Sequence, residues 1–268
     1  MKSKILTGIA FLLTVLVAVT PVRARDTVYV TADNLAGTNL FGELNLKTGE
    51  FTQIAQTTPL FYALSAGPDG RIYGADVDTG TIFTISISGV TRPFGTITAP
   101  GYQYDGYGFF GLAYQTWEDH FFAVNVDPMH VSLYRIGKHG RTQKDIGIIE
   151  GPDTGIFFSG SVALGPHGKL YFDFVPPSGP QLYKIDQFTG APTPIGSGLG
   201  TDILTLFSDG TKLFGIDTDA TSQIGIYVID PETGVAIPTG VIVTGLPSTN
   251  DFYIDTATFS HVDHERCD

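Results

Sequence analysis

The residues best equipped for chemistry are aspartates and tyrosines gathered between strand-like phrases. The stretch Gly101-Tyr-Gln-Tyr-Asp-Gly-Tyr-Gly-Phe-Phe110 sets Tyr102, Tyr104, Asp105 and Tyr107 among glycines. Rings beside a carboxylate suit stacking on a sugar face while bonding its hydroxyls, and tyrosine is common at binding surfaces generally. Asp153, Asp202 and Asp251 fall in other connections and complete the expected ligand-binding set. Asp76-Val-Asp78-Thr-Gly80 and Asp217-Thr-Asp219 resemble fragments of a calcium loop. Hard cations want several oxygen ligands, so Ca²⁺ is the cofactor that Asp76, Asp78, Asp217 and Asp219 would suit, although neither fragment has the twelve-position pattern ending in Glu. The alternative for each is structural, because Asp favours turns and bonds its own backbone there.

Other chemistry is not written in the chain. It has no Gly-x-Ser-x-Gly elbow, no His-Glu-x-x-His and no phosphate-binding glycine loop. An Asp-based hydrolase or lyase, whose acids come from separate loops without a local motif, stays open. The tail His261-Val-Asp-His264-Glu-Arg-Cys267-Asp268 holds zinc-type ligands beyond the last strand, where a fixed four-ligand site is hard to build. Cys267 is the single cysteine, which excludes an intrachain disulfide framework. With 27 acidic against 15 basic side chains, nucleic acid and anionic membranes are poor partners.

The first residues read as a targeting segment. Lys2 and Lys4 precede an apolar run from Ile5 to Val19, and Val22-Arg23-Ala24 fits cleavage after Ala24. The run is short for a membrane span, which needs about 20 apolar residues. The expectation is a secreted or periplasmic protein, with residues 25–260 as one domain, 261–268 as a tail and no membrane contact after cleavage.

The elements that must position these residues repeat. One phrase, Leu64-Ser-Ala-Gly-Pro-Asp-Gly-Arg-Ile-Tyr73, returns at Val162–Tyr171 and Leu204–Phe214, with a degenerate copy at Leu112–Asn125. A second, Ile226-Tyr-Val-Ile-Asp-Pro-Glu-Thr-Gly234, returns at Leu182–Gly190 and Phe41–Gly49, with weaker copies ending at Gly89 and Gly140. Both alternate apolar and polar residues, then turn on glycine, which is hairpin chemistry. Each unit reads as four strands, A to D, and units of 40 to 50 residues suit blades of a β-propeller.

The ends complement each other. The first unit has strands B, C and D without A, and Phe252–Phe259 is a strand A without a hairpin. Pairing them closes a ring of five blades and removes the open edges; the alternative is six blades, one hidden near Ala99–Phe110. The Pro-Asp-Gly-x-Ile/Leu-Tyr and Ile-Asp-x-x-Thr-Gly phrases resemble those of secreted repeat propellers, notably the NHL and YVTN-type groups. The blade count is similar to that of five-bladed propeller lectins, by architecture only. This resemblance implies an all-β propeller fold and leaves activity open. Function is expected on the face carrying the longer B–C and D–A connections, with an extracellular carbohydrate or protein as ligand. The alternatives are the Asp-based enzyme, with or without Ca²⁺, and a protein-interaction scaffold.

Overall fold

The computed structural model describes residues 26–34, 37–67, 70–97, 108–126, 131–137, 142–149, 161–176, 178–218, 223–247 and 252–259. Residues 1–25, residues 260–268 and several connections lie outside them. Strands β1 (Thr27–Asp33), β2 (Asn39–Asn45) and β3 (Phe51–Thr57) come first, followed by β4 (Phe61–Ala66), β5 (Ile72–Asp76), β6 (Thr81–Ile85) and β7 (Thr91–Thr96). Then come β8 (Phe109–Gln115), β9 (His120–Val126), β10 (Val131–Gly137) and β11 (Thr142–Ile148). The next group is β12 (Val162–Leu164), β13 (Leu170–Phe174), β14 (Gln181–Ile185) and β15 (Pro192–Ile195). Strands β16 (Ile203–Ser208), β17 (Leu213–Thr218), β18 (Ile224–Ile229) and β19 (Ala236–Ile242) follow, and β20 (Tyr253–Thr258) ends the series.

These strands form five four-stranded antiparallel sheets, so the ring has five blades rather than six. Blade 1 runs β20-β1-β2-β3, and blades 2 to 5 take the remaining strands in sequence order. As the complementary ends require, β20 pairs with β1, Asp33 opposite Tyr253 and Tyr29 opposite Thr258. The A strands β20, β4, β8, β12 and β16 stand around the axis, each beside the next.

A blade is a sheet buried on both faces, so its apolar residues must meet those of two neighbours. Five apolar clusters answer this, one in each gap. Phe61 and Ile72 of blade 2 meet Phe41 of blade 1, for example, and Leu206 and Leu213 of blade 5 meet Tyr171 of blade 4.

The inner edge of each A strand would leave backbone groups unpaired, which is costly away from water. Hydroxyls of the adjacent blade take them up. Thr256 and Thr258 Oγ1 accept from Leu64 N (3.0 Å) and Ala66 N (2.9 Å), and Ser65 Oγ accepts from Tyr114 N (2.9 Å). Ser161 Oγ accepts from Leu206 N (2.6 Å), while Thr205 Oγ1 donates to Ile254 O (2.8 Å). What remains at the axis is a cavity of about 30 Å³, room for a water molecule or two.

The Asp-x-x-Thr-Gly phrase has a local cause. Asp186 Oδ1 accepts from the N–H of Phe188 (2.9 Å) and Thr189 (2.8 Å), and Gly190, at φ 76°, donates its N–H to Asp186 O. Asn45–Gly49 and Asp230–Gly234 repeat this closure. A residue with a Cβ resists that positive φ, hence the invariant final glycine of the phrase.

Candidate functional site

Four of the five A strands carry a β-bulge at one place, next to the end facing the B–C and D–A connections. In β4 the pairing with β5 runs Phe61 to Asp76 and then Ala63 to Ala75, so Tyr62 is the extra residue. Phe110 in β8, Leu204 in β16 and Asp255 in β20 stand out in the same way. A bulge kinks its strand and re-aims the extra side chain. In β4, β8 and β16 this second position is half-buried between buried neighbours, and Asp255 is likewise half-buried. Tyr62, Phe110, Leu204 and Asp255 therefore line the channel mouth on that face.

The mouth is not uniform. The rings of Tyr62 and Phe110 lie 5.4 Å apart across the blade 2–blade 3 gap. On the other side, the Tyr62 hydroxyl donates to Asp33 Oδ2 at 3.1 Å, reaching to blade 1. Burial holds the Tyr62 phenol well above its ordinary range, and the charges of Asp255, Asp33 and Asp78 push it further. Burial also raises the Asp255 carboxyl well above the usual carboxylate range, the charge of Asp33 adding to it while backbone N–H groups of Asp255 and Asp33 oppose it. Asp255 Oδ2 is sealed from solvent and meets no hydrogen-bond partner among the described residues. Burial and the neighbouring Asp33 charge thus favour the neutral, protonated form of the Asp255 carboxyl.

The expected site residues distribute unevenly. Asp78 is exposed in the turn after β5 and its charge reaches Tyr62. Asp76 is buried and accepts from Thr79 Oγ1 at 2.6 Å, within a turn closed by Gly80 N–H to Asp76 O. Asp76–Gly80 thus has the same closure as the Asp186–Gly190 turn. Asp217, in another blade, is buried and accepts from the Thr201 hydroxyl. Asp173, at the corresponding place in blade 4, accepts from Ser161 N (2.9 Å) and Oγ (2.7 Å). Among the described residues no three His, Cys, Asp or Glu side chains gather as metal ligands would. Asp202 is exposed beside the start of β16. Tyr102, Tyr104, Asp105, Tyr107, Asp153, Asp219 and Asp251 lie outside the described residues. Sequence reasoning missed Tyr62, Phe110, Leu204 and Asp255; the available signal was the second residue of Phe61-Tyr-Ala, Phe109-Phe-Gly, Ile203-Leu-Thr and Ile254-Asp-Thr.

A second polar group lies at the opposite face, between blades 3 and 4. Gln115 Nε2 donates to Gln187 Oε1 (2.9 Å), and Gln187 Nε2 donates to Gly168 O (2.6 Å). His120 is buried beside them, edge-on to Phe122, with Nδ1 3.6 Å from Glu118 Oε2. Burial lowers the His120 pKa; Glu118 opposes this and Arg135 adds to it. Trp117 covers Gly168, where a Cβ would come within 2.1 Å of the indole.

No protein-family model matches the chain, and no curated protein matches it in sequence. Among solved structures, a chain of a nidogen/laminin complex aligns at TM-score 0.54 and 11% identity, over 90% of this chain and all of that one. TolB from Acinetobacter baumannii aligns at 0.51 and 14% identity, over 82% of this chain and 53% of its own, so the match spans about half of TolB. Virginiamycin B lyase from Staphylococcus aureus aligns at 0.46 and 15% identity, over 85% of this chain and 73% of that one. Together with the five sheets, the likenesses to the nidogen/laminin complex chain and to TolB show a β-propeller fold. No helix among the described residues is long and apolar enough to cross a membrane.

Proposed function

We propose that this is an exported ligand-binding β-propeller that receives an extracellular carbohydrate, or a partner presenting one, at the channel mouth of its B–C/D–A face. The repeated bulge carries this reading, since it sets Tyr62, Phe110, Leu204 and Asp255 at the same place on four consecutive A strands. Concave sites with aromatic walls and a few fixed polar groups are where small ligands bind. The connection that the sequence marks by Tyr102, Tyr104, Asp105 and Tyr107 precedes β8 in the chain. Asp202, exposed beside the start of β16, would stand on the surrounding rim.

The test is saturation-transfer NMR of residues 25–268 with a panel of mono- and oligosaccharides. Binding that is lost in Phe110→Ala and kept in Glu232→Gln, on the far face, is expected. A saturable sugar that binds equally well to Phe110→Ala would place the site elsewhere. The Asp33–Asp255 pair favours a second reading, an Asp-based glycoside hydrolase or lyase. In that case the bound oligosaccharide is shortened on incubation, and Asp255→Asn stops the cleavage without stopping binding. Export is tested by N-terminal sequencing of the secreted protein, which should begin at Arg25.

A further inference from the structure

We infer that the A–B end of the blade 3–blade 4 seam is an acid-opened latch. A proton taken up by His120 releases the turn Gln115–His120 and lifts Trp117 off Gly168, while the ring of five blades stays closed. The device does not depend on what the opposite face binds. The seam is tied where both of its blades depart from the repeat. Gln115 stands at the place that Gly67 and Gly165 hold in blades 2 and 4, and Gln187 at the place of Leu46 and Pro231 in blades 1 and 5. Gly67 and Gly165 have no side chain to offer, and the side chains of Leu46 and Pro231 have no donor. Here Gln115 donates to Gln187 at 2.9 Å, Gln187 donates to the Gly168 carbonyl at 2.6 Å, and Trp117 packs on Gly168.

His120 is the weak member of this tie. It lies opposite Gln115 in the β8–β9 register, 1% exposed, with the Phe122 ring edge-on at 4.8 Å. Its Nε2 meets no hydrogen-bond partner among the described residues. Its Nδ1 lies 3.6 Å from Glu118 Oε2, and Arg135 Nη1 lies 3.7 Å from that same oxygen. One exposed carboxylate thus serves two side chains, and an imidazolium would share it with a guanidinium. The other charged groups around the ring come from every neighbouring element. Asp119, in the same turn, accepts from the Tyr114 hydroxyl, and Lys144 stands opposite Arg135 in the β10–β11 register. From blade 4, the turn carrying Gly168 brings His167 and Lys169, while Asp186 is held by the N–H groups of Phe188 and Thr189. Burial is the largest influence and opposes the charged ring, as does Arg135; Glu118 and Asp119 favour it.

A buried cation with so little counter-charge is relieved by reaching water. The turn can carry it there, because Thr116 and Glu118 are exposed and Trp117 is only half-buried. The rest of the interface is an apolar cluster that includes Phe122, Val124, Leu170 and Phe172, none of which titrates. Opening is therefore local and not a loss of the fold.

Trp117 is the single tryptophan of the chain and reports on the latch directly. Its emission maximum, its quenching by acrylamide and the far-ultraviolet dichroism of the intact protein are followed as the pH is lowered from neutrality. We expect a one-proton step, centred below the ordinary histidine value of about 6.5, in which emission moves to the red and quenching rises at unchanged dichroism. Glu118→Gln removes the shared counter-charge and should move the step to lower pH. Arg135→Gln removes the competing cation and should move it to higher pH. A merely structural role for His120 would not give these opposite shifts. His120→Phe should abolish the step, and His167→Gln should leave it in place. Should His120→Phe fail to fold, the two charge variants decide. A step that survives in folded His120→Phe, or that disappears in His167→Gln, overturns the latch. So does a blue shift in acid, which would mean that Nε2–H closes onto Gln115 Oε1. A step that coincides with loss of dichroism, or no step while dichroism holds, overturns it as well.

Discussion

The channel mouth and the blade 3–blade 4 seam occupy opposite faces, and each holds polar atoms that meet no hydrogen-bond partner among the described residues. At the mouth these include Asp255 Oδ2; at the seam they are Gln115 Oε1, His120 Nε2 and Arg135 Nε. The difference is how the strand departs from its repeat. At the mouth a β-bulge re-aims Asp255, whereas at the seam Trp117 lies over Gly168 and Gln187 crosses between the blades. Polar atoms under a lid serve to hold two blades in place. The same repeat therefore yields a fastening at one end of the strand and a re-aimed side chain at the other.

The contrast is sharpest where the seam is overfilled. Gly168→Val adds a side chain at φ 64° against the Trp117 ring, and should cost about 2 kcal/mol or more in a denaturant titration. A cost near zero would mean that Trp117 is no lid. Next, the seam and the mouth should respond to pH in opposite senses. His120 is held neutral by burial, with a folded pKa below the unfolded value of about 6.5. Its contribution is present above that value and fades as the pH falls through the folded one, so the parent loses thermal stability on acidification. His120→Phe should flatten this limb, as judged by melting temperatures between about pH 4 and 7.

Asp255 works the other way. Its folded pKa lies above the unfolded one, so its contribution is complete in acid and is lost as the pH rises through the raised value. Asp255→Asn should remove that decline and melt higher than the parent at pH 8, a smaller change than the two above. If the variant melts lower there, the two acids are not in conflict. Smallest of all is Tyr62→Phe, which removes the hydroxyl bound to Asp33 at a cost of about 1 kcal/mol while keeping the ring. Oligosaccharide binding should survive in Tyr62→Phe and fail in Phe110→Ala, separating the ring wall from the hydrogen bond.

The blades were legible because their turns are chemically demanding. Asp186 and Gly190 must be an acceptor and a positive-φ residue for that turn to close, so the phrase survives in every clear copy. Ring closure was legible too, since a lone strand A at one end matches three strands at the other. The mouth was not, because a bulge changes register without changing composition: Tyr62 and Phe110 look like ordinary members of an apolar strand. Asp76 carries the opposite ambiguity, its calcium-like spacing being shared with a turn that closes on Thr79 and Gly80. An alternation read one residue at a time cannot separate these cases, whereas the paired register can.

Closure by β20 also sets an order of events. Strands β1 to β3 are the first to be synthesised, yet Asp33 finds its partner Tyr253 only when nearly the whole chain has been made. Until then β1 has a bare inner edge, and the hydroxyls of Thr256 and Thr258 that cap the backbone of blade 2 do not yet exist. Such a distant pairing slows folding, because a long loop must close before the contact gives any return. Asp255 belongs to that last strand, so its pair with Asp33 forms only on closure. A nascent chain that has not yet made β20 therefore lacks both the closed ring and the fourth bulge of the mouth.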